Sequence, residues 1–195
     1  MRVALVIAAA LSVGLGSCGY SLVVPGPAPD GISNVHVARA DVGDGDPLLA
    51  DALTRELRRE IRRGGRFAVS PSSGEADAVL SVTVTTHRAR AIAFDAFDDV
   101  LDYETTLAAD AALTPRGGGD AAWSKQGIAA SRGHAAVAGA VVTSSSAFQA
   151  DERFERDDLA ALDGVQLGRE RRAAARARLI TDLAKAIYGQ MSEGL

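Results

Sequence analysis

The side chains that most often perform catalysis or bind metals are scattered along this chain. The three histidines lie far apart and lack the short spacing of a metal site; they are His36, His87 and His134. The serine run Ser144–Ser146 lacks the glycine elbow that surrounds a serine nucleophile, so a loop is the simpler interpretation. Neither group predicts an active site or a metal centre.

Four aspartates are close together in one polar segment, where they could serve as paired catalytic carboxylates or as a cation site. They are Asp95, Asp98, Asp99 and Asp102. Their spacing is not that of a calcium-binding loop, and a solvated connection between two strands explains them better. The glycines Gly117–Gly119 precede a predicted strand and not a helix, so they do not predict a phosphate-binding loop. We therefore predict that the protein is not an enzyme and that it holds no metal or cofactor.

Cys18 is the only cysteine, and its position indicates covalent lipid attachment. The N-terminus carries a cation at Arg2 and an almost unbroken apolar run, Val3–Val13, as in a secretory leader. The residues just before the cysteine, Leu15-Gly16-Ser17, resemble the bacterial lipobox, in which the cysteine is acylated and the leader is removed. The alternatives are a secretory signal with a spare thiol or an uncleaved anchor. The apolar run of about 11 residues is shorter than the roughly 20 that a membrane span needs.

Acylation at Cys18 would fix the location of the mature protein. Each buried methylene contributes about 0.8 kcal/mol, so several acyl chains hold a protein on a bilayer almost permanently. Gly19 follows the cysteine, where an aspartate would resemble the signal for retention at the inner membrane. We expect a signal peptide at 1–17, a lipidated N-terminus with a proline-rich tether at 18–31, and one domain at 32–195. The domain would face the periplasm from the outer membrane.

The charge of the mature chain excludes one class of function. Removing residues 1–17 takes away Arg2, which leaves 20 Lys and Arg against 25 Asp and Glu, a net charge of −5. A nucleic-acid-binding domain is normally basic, so no nucleic-acid partner is expected. With a single cysteine there is no internal disulfide, and packing alone must stabilise the fold.

Two helical regions are predicted. The first begins at Pro47, with Asp46 as its N-cap, and ends near Arg63 before two glycines. Its apolar residues recur every four positions, as in a helix with one buried face: Leu49, Leu53, Leu57 and Ile61. The second region spans Asp157–Gln190, and its main helix is expected from Arg169 because glycines interrupt the earlier part.

Four segments alternate apolar and polar residues, as strands do. They are a short stretch around Val35, Ala78–Thr86, Val100–Leu113 and Ala122–Arg132. The first is short and is expected at a sheet edge, whereas the other three are expected to form an antiparallel meander. Residues 133–156 show no clear period. The fold class is therefore α+β, a two-layer sandwich of a mainly antiparallel sheet of about four strands with two helices packed on one face.

The order of these features resembles the lipopolysaccharide-assembly lipoproteins of the LptE (RlpB) family. The resemblance begins at Cys18-Gly19-Tyr20-Ser21-Leu22 and continues through the proline tether and the helix that begins at Pro47. It includes Gly64-Gly65-Arg66-Phe67, Ala76-Asp77-Ala78-Val79-Leu80 and an Ala122-Trp123 strand after a glycine turn, and it ends in a C-terminal amphipathic helix. The resemblance covers most of the mature chain.

The resemblance implies a structural role without catalysis. Proteins of this family sit as a plug inside the large β-barrel of the lipopolysaccharide translocon, help that barrel assemble, and engage lipopolysaccharide on its way to the outer leaflet. The implied partners are thus an LptD-like outer-membrane barrel, lipopolysaccharide, and the membrane through the N-terminal lipid. The polar lumen of a wide barrel suits a sheet with one polar face.

Cations on the predicted meander are candidates for contact with an anionic glycolipid. They are Arg88, Arg90, Lys125 and Arg132, which we expect to lie close together across a hairpin. Arginine favours bidentate contact with phosphate. The simpler alternative is ordinary surface charge.

A second function is compatible with a small α/β lipoprotein of this kind. It could bind a periplasmic enzyme or a secretion component as its activator or pilot. Identification of the co-purifying partner distinguishes the two functions. A plug should co-purify with a very large barrel protein, whereas an activator or pilot should co-purify with an enzyme or a secretion component.

Overall fold

A computed structural model of the chain describes residues 31–136 and 156–195, with side chains described outside 156–169. Five strands and two helices follow one another in these ranges. They are β1 (Asn34–Val37), α1 (Pro47–Gly64), β2 (Ala68–Val69), β3 (Ala78–Phe94), β4 (Val100–Pro115), β5 (Trp123–Ala135) and α2 (Arg156–Gly194). The predicted α+β class is confirmed, with five strands where about four were expected.

Helix α1 begins and ends where local sequence signals place its caps. Asp46 is extended at its N-cap, and its side chain accepts a hydrogen bond of 2.8 Å from the backbone N–H of Leu48. At the other end Gly65 is left-handed with φ 68°, and its N–H donates to the carbonyl of Ile61. The predicted helix from Pro47 to about Arg63 is confirmed, and it extends by one residue.

The sheet has the strand order β2-β1-β3-β4-β5. Strands β3, β4 and β5 form the predicted antiparallel meander, whereas β1 is parallel to both of its neighbours. The expected edge position of β1 is wrong, because the two-residue strand β2 pairs outside it. The long edge of the sheet is β5.

Strand β3 is twice as long as predicted, because β4 supplies hydrogen-bonding partners as far as Phe94. His87, Arg88 and Arg90 therefore lie within the strand and not in a loop after it. Irregularities in the pairing occur between Val84 and Thr86 and again beyond Ala91. The first irregularity shifts the alternation by one residue, so the residues after it lie on the opposite face from the one that simple alternation predicts.

Helix α2 runs without interruption over 39 residues. Gly164 and Gly168 lie within it, so the predicted interruption is wrong. A helical glycine costs about 1 kcal/mol relative to alanine, which weakens a helix without ending it. Only the C-terminal part of this helix is buried among the described side chains, because Ala173 and Ala177 are exposed and burial begins at Leu179.

One hydrophobic core lies between the sheet and the helices. Helix α1 contributes Leu53, Leu57 and Ile61, and α2 contributes Leu183 and Ile187, all of them fully buried. The sheet face that meets them, the helix face, carries Leu80, Val82, Leu107, Ala109, Ala111 and Leu113. The opposite face, the open face, carries Ser81, Thr83, Glu104, Thr106 and Asp110. From Leu107 toward the β3–β4 turn, the hairpin formed by these two strands extends past the core.

Candidate functional site

Arg88 and Arg90 lie together on the open face of the sheet. Arg88 pairs with Thr106 across the strands and Arg90 pairs with Glu104, and opposed residues share a face. The Arg90 guanidinium lies 2.9 Å from the carboxylate of Glu104. Arg88 has no ion pair within the described ranges. The open face therefore offers one paired and one unpaired arginine to an anion.

Arg132 lies on the helix face, away from Arg88 and Arg90. It pairs with Thr105 across the strands, and its Nε donates to the carboxylate of Asp182 on α2 at 2.6 Å. This hydrogen bond and the charge of Asp182 raise the pKa of the Arg132 guanidinium. Arg132 thus joins the edge strand to the helix layer.

Lys125 is separated from the other three candidate cations. It pairs with Ala111, which is five residues along β4 from the partner of Arg88, roughly 17 Å at strand spacing. The expectation that the four cations lie close together is wrong. The physical reason is that β4 separates β3 from β5, and that Arg132 and Lys125 occupy the face opposite to Arg88 and Arg90.

The structure brings Arg132 together with two cations that the sequence reasoning missed. A groove of about 300 Å³ between β5 and α2 is lined by Arg132, Arg178, Lys185, Asp182, Thr181 and Ala177. Arg178 and Lys185 are seven residues apart, which places them on one side of a helix. The seven-residue spacing of Arg178 and Lys185 is the signal in the sequence that indicates this cationic side of the helix.

A second groove, of about 430 Å³, lies between the two helices. Its apolar part comes from alanines and from Leu48 and Ile180, and its rim carries Arg55, Arg59 and Arg176. Two of these arginines are already paired, Arg59 with Glu56 at 2.5 Å and Arg176 with Asp46. The Arg176 hydrogen bond is the main cause that lowers the pKa of Asp46, followed by the N–H of Leu48. The Arg176–Asp46 pair joins α2 to the N-cap of α1, whereas the Arg59–Glu56 pair lies within α1.

The other residues considered for catalysis, metal binding or phosphate binding do not form a site in the part of the chain that the structure describes. The histidines occupy three different strands, and the described residues contain no cluster of metal-binding side chains. His134 stacks on Tyr103, with ring centroids 5.9 Å apart. Gly118 and Gly119 have positive φ and form the β4–β5 turn. Ser144–Ser146 and Cys18 lie outside the described residues.

The four clustered aspartates are in and beside the β3–β4 turn. Asp95 Oδ1 accepts hydrogen bonds from the N–H of Phe97 at 2.8 Å and of Asp99 at 2.9 Å. Its carboxylate therefore closes the turn. The segment is the solvated strand connection that the sequence favoured.

No helix among residues 31–136 and 156–195 combines the length and the apolar content that crossing a membrane requires.

Several solved lipoprotein structures resemble this chain at low sequence identity. Lipoprotein B from Nitrosomonas europaea is 14% identical, with 84% of this chain and 87% of that chain covered and a TM-score of 0.48. The minor lipoprotein from Acinetobacter baumannii is 12% identical, with 83% and 94% covered and a TM-score of 0.46. Rare lipoprotein B from Shewanella oneidensis is 14% identical, with 83% and 96% covered and a TM-score of 0.44. No curated protein matches the chain.

A protein-family model gives the decisive match. The model of the lipopolysaccharide-assembly family LptE matches residues 32–191, which include every strand and helix of the described fold except the last three residues of α2. The chain belongs to the LptE lipopolysaccharide-assembly family, and its role is in lipopolysaccharide assembly.

Proposed function

We propose that this protein is an outer-membrane lipoprotein that plugs the β-barrel of the lipopolysaccharide translocon, helps that barrel assemble, and assists insertion of lipopolysaccharide into the outer leaflet. The observation that carries the proposal is the family match over residues 32–191. The family is a non-enzymatic one, and the partner is an LptD-like barrel protein.

The two faces of the sheet support a location inside a wet barrel. Helix α1 and the described side chains of α2 bury the apolar centre of the helix face, whereas the open face presents serine, threonine and charged side chains. The lumen of a wide outer-membrane barrel is polar, so an open polar sheet face can lie against it without loss of solvation. A barrel lumen therefore suits this domain better than a lipid surface.

Lipopolysaccharide contact is proposed first for Arg88 and Arg90. These two arginines share the open face, and Arg88 has no ion pair within the described residues. A guanidinium can make two parallel hydrogen bonds to a phosphate or carboxylate group, as lipid A and core sugars offer. Arg132 and Lys125 lie on the other face, and they would contact the glycolipid at separate places.

The lipid anchor is proposed at Cys18, with residues 1–17 as its leader and 18–31 as its tether. The sequence before Cys18 supports acylation, and Gly19 supports the outer membrane. In cells fed labelled palmitate, the chain should incorporate label and fractionate with the outer membrane. Cys18→Ser should lose the label and leave the membrane fraction. A labelled Cys18→Ser protein would contradict the proposal.

The test of function is partner recovery from gently solubilised outer membranes containing the full-length chain. A translocon plug should recover one very large barrel protein in equal amount, and depletion of the chain should lower surface lipopolysaccharide. Recovery of a peptidoglycan enzyme or a secretin, with surface lipopolysaccharide unchanged, would overturn the proposal in favour of an activator or pilot.

A further inference from the structure

The tip of the β3–β4 hairpin, residues 92–102, exposes an unusual amount of apolar side chain. Five large hydrophobic residues are exposed in the described ranges, and four of them are here. Phe97 is 86% exposed, and its neighbours Ile92, Phe94 and Leu101 are each about half exposed. Large apolar side chains exposed together in one segment of a domain mark a surface that another molecule covers.

The turn at the tip holds the backbone at Phe97 in one conformation. The Asp95 side chain accepts from two backbone N–H groups, and its own N–H donates to the carbonyl of Asp99 at 2.9 Å. Asp98 has a φ of 64°, which a non-glycine residue adopts only at a cost. A turn ordered in this way presents an aromatic side chain on a backbone that loses little further conformational entropy on binding.

The charge of the tip restricts what can cover it. Residues 92–102 contain four aspartates and neither lysine nor arginine. The nearest arginine along the chain, Arg90, is paired with Glu104. A lipopolysaccharide-rich surface is anionic and would repel these carboxylates, which are also costly to desolvate in lipid. A second copy of the tip would oppose like charges. An apolar pocket with a cationic rim on another protein fits both the exposed apolar side chains and the negative charge of the tip.

The tip is also far from the point where the predicted tether enters the domain. The tether enters the domain at Ser33, whose N–H and hydroxyl donate to Asp77 just before β3 begins. The tip is at the other end of the same strand, sixteen steps from Ala78 to Phe94, or about 50 Å at strand spacing. The tip and the end of the domain that follows the predicted tether therefore lie at opposite ends of β3.

We propose that the hairpin tip docks, through Phe97 and Phe94, into an apolar pocket with a cationic rim on the barrel protein that this chain plugs. The inference rests on the proposed function, because it names a contact within that complex. Aromatic anchors seated in a partner's pocket commonly supply most of the binding energy of an interface.

Recovery of the barrel protein by full-length variants, extracted from outer membranes, tests the contact. Phe94→Ser with Phe97→Ser should lower recovery by about tenfold or more, the factor expected for loss of an aromatic anchor. The turn should persist, because its hydrogen bonds use backbone N–H groups and Asp95, so the melting temperature should not change. Leu48→Ser is the matched control, since Leu48 is 72% exposed and belongs to α1 and not to the hairpin; it should leave recovery unchanged.

A photoreactive residue in place of Phe97 identifies what covers the tip in intact cells. A covalent product with the barrel protein is the expected result. A product with lipopolysaccharide, with phospholipid or with a second copy of the chain would overturn the inference, as would equal recovery by the double variant. If the unmodified chain recovers no barrel protein, the proposed function and this inference both fail. If it does and the double variant matches it, only this inference fails.

Discussion

The Nε atom of Arg132 lies 2.6 Å from the carboxylate of Asp182, so an ion pair joins the edge strand β5 to helix α2 across 50 residues of sequence. Both side chains are about a third or more exposed, and water and salt screen such a pair. Arg132 therefore has an acidic partner in the folded protein. Arg88 has none within the described residues.

Replacing Arg132 by glutamine should lower the melting temperature of the domain slightly at low ionic strength. The reason is that Asp182 loses the guanidinium that neutralises it. In about 1 M salt, where the screening length is roughly 3 Å, the difference from the unchanged protein should shrink. Thermal unfolding followed by circular dichroism at two salt concentrations measures both effects. Lys125→Gln, on the same strand and face, is the control. An equal decrease in melting temperature for Lys125→Gln would show that loss of the ion pair is not the cause.

Replacing Gly64 by alanine should destabilise the protein although alanine is the better helix former. A Cβ atom at Gly64 would overlap the phenol ring of Tyr188 on α2, so the ring or the helix must move. Overpacking of this kind costs about 1–3 kcal/mol. Urea unfolding should give a lower free energy of unfolding. In a Tyr188→Ala background the same change should become neutral or favourable.

Gly189 provides the matched control for this substitution. It lies inside α2, and a Cβ atom there meets nothing within 4 Å. Gly189→Ala should stabilise the protein by about 0.5–1 kcal/mol, the usual advantage of alanine over glycine in a helix. Stabilisation by both substitutions would mean that Tyr188 does not occupy the space beside Gly64.

Local sequence signals predicted the ends of α1, but they did not predict which face of the sheet Arg132 occupies. Asp46-Pro47 and the left-handed Gly65 mark the ends of α1 within a few residues, so the helix was predictable. The face that Arg132 occupies was not. Simple alternation from Trp123 would place Arg132 opposite to that residue. The irregularity at Gly127, with φ 68°, inserts one residue, so that Ile128 is buried and Arg132 joins Trp123 on the helix face.

The length of β3 could not be predicted for a related reason. Residues 88–91 alternate arginine with alanine, and nothing local distinguishes them from a polar loop. The strand continues because β4 offers hydrogen-bonding partners, and this pairing involves residues distant in sequence. The positions of Arg88 and Arg90 on the open face could not be predicted for the same reason, because they depend on that pairing.

Acid should weaken the protein partly through Asp77. Its carboxylate accepts the backbone N–H groups of Asn34 and Ser33 and the Ser33 hydroxyl, and these bonds lower its pKa below the ordinary value of about 3.8. The folded state therefore binds this proton less readily than the unfolded state does. The stabilisation is complete above that ordinary value and is lost as pH falls through the lowered pKa of the folded protein.

Asp77→Asn should reduce the dependence of stability on pH in this acidic range. Urea midpoints measured from pH 6 to about pH 2 should fall less steeply for the variant than for the unchanged protein. Asp120→Asn is the control, because Asp120 accepts no hydrogen bond within the described residues. Parallel curves for the unchanged protein and Asp77→Asn would contradict this role for Asp77.

Charge reversal at Arg88 and Arg90 should weaken the binding of lipopolysaccharide. One hydrogen bond to a charged group contributes about 1.5–3 kcal/mol, so losing such contacts should reduce affinity by about tenfold or more. Arg88→Glu tests the unpaired arginine by itself, whereas Arg90→Glu also places a glutamate against Glu104. Arg62→Glu, an equal charge change at an exposed position of α1, is the control. A direct binding assay with purified lipopolysaccharide should rank both open-face variants below the control. Unchanged binding by the double variant Arg88→Glu with Arg90→Glu would exclude the open face as the glycolipid contact, and it would leave the groove of Arg132, Arg178 and Lys185 as the next cationic surface to test.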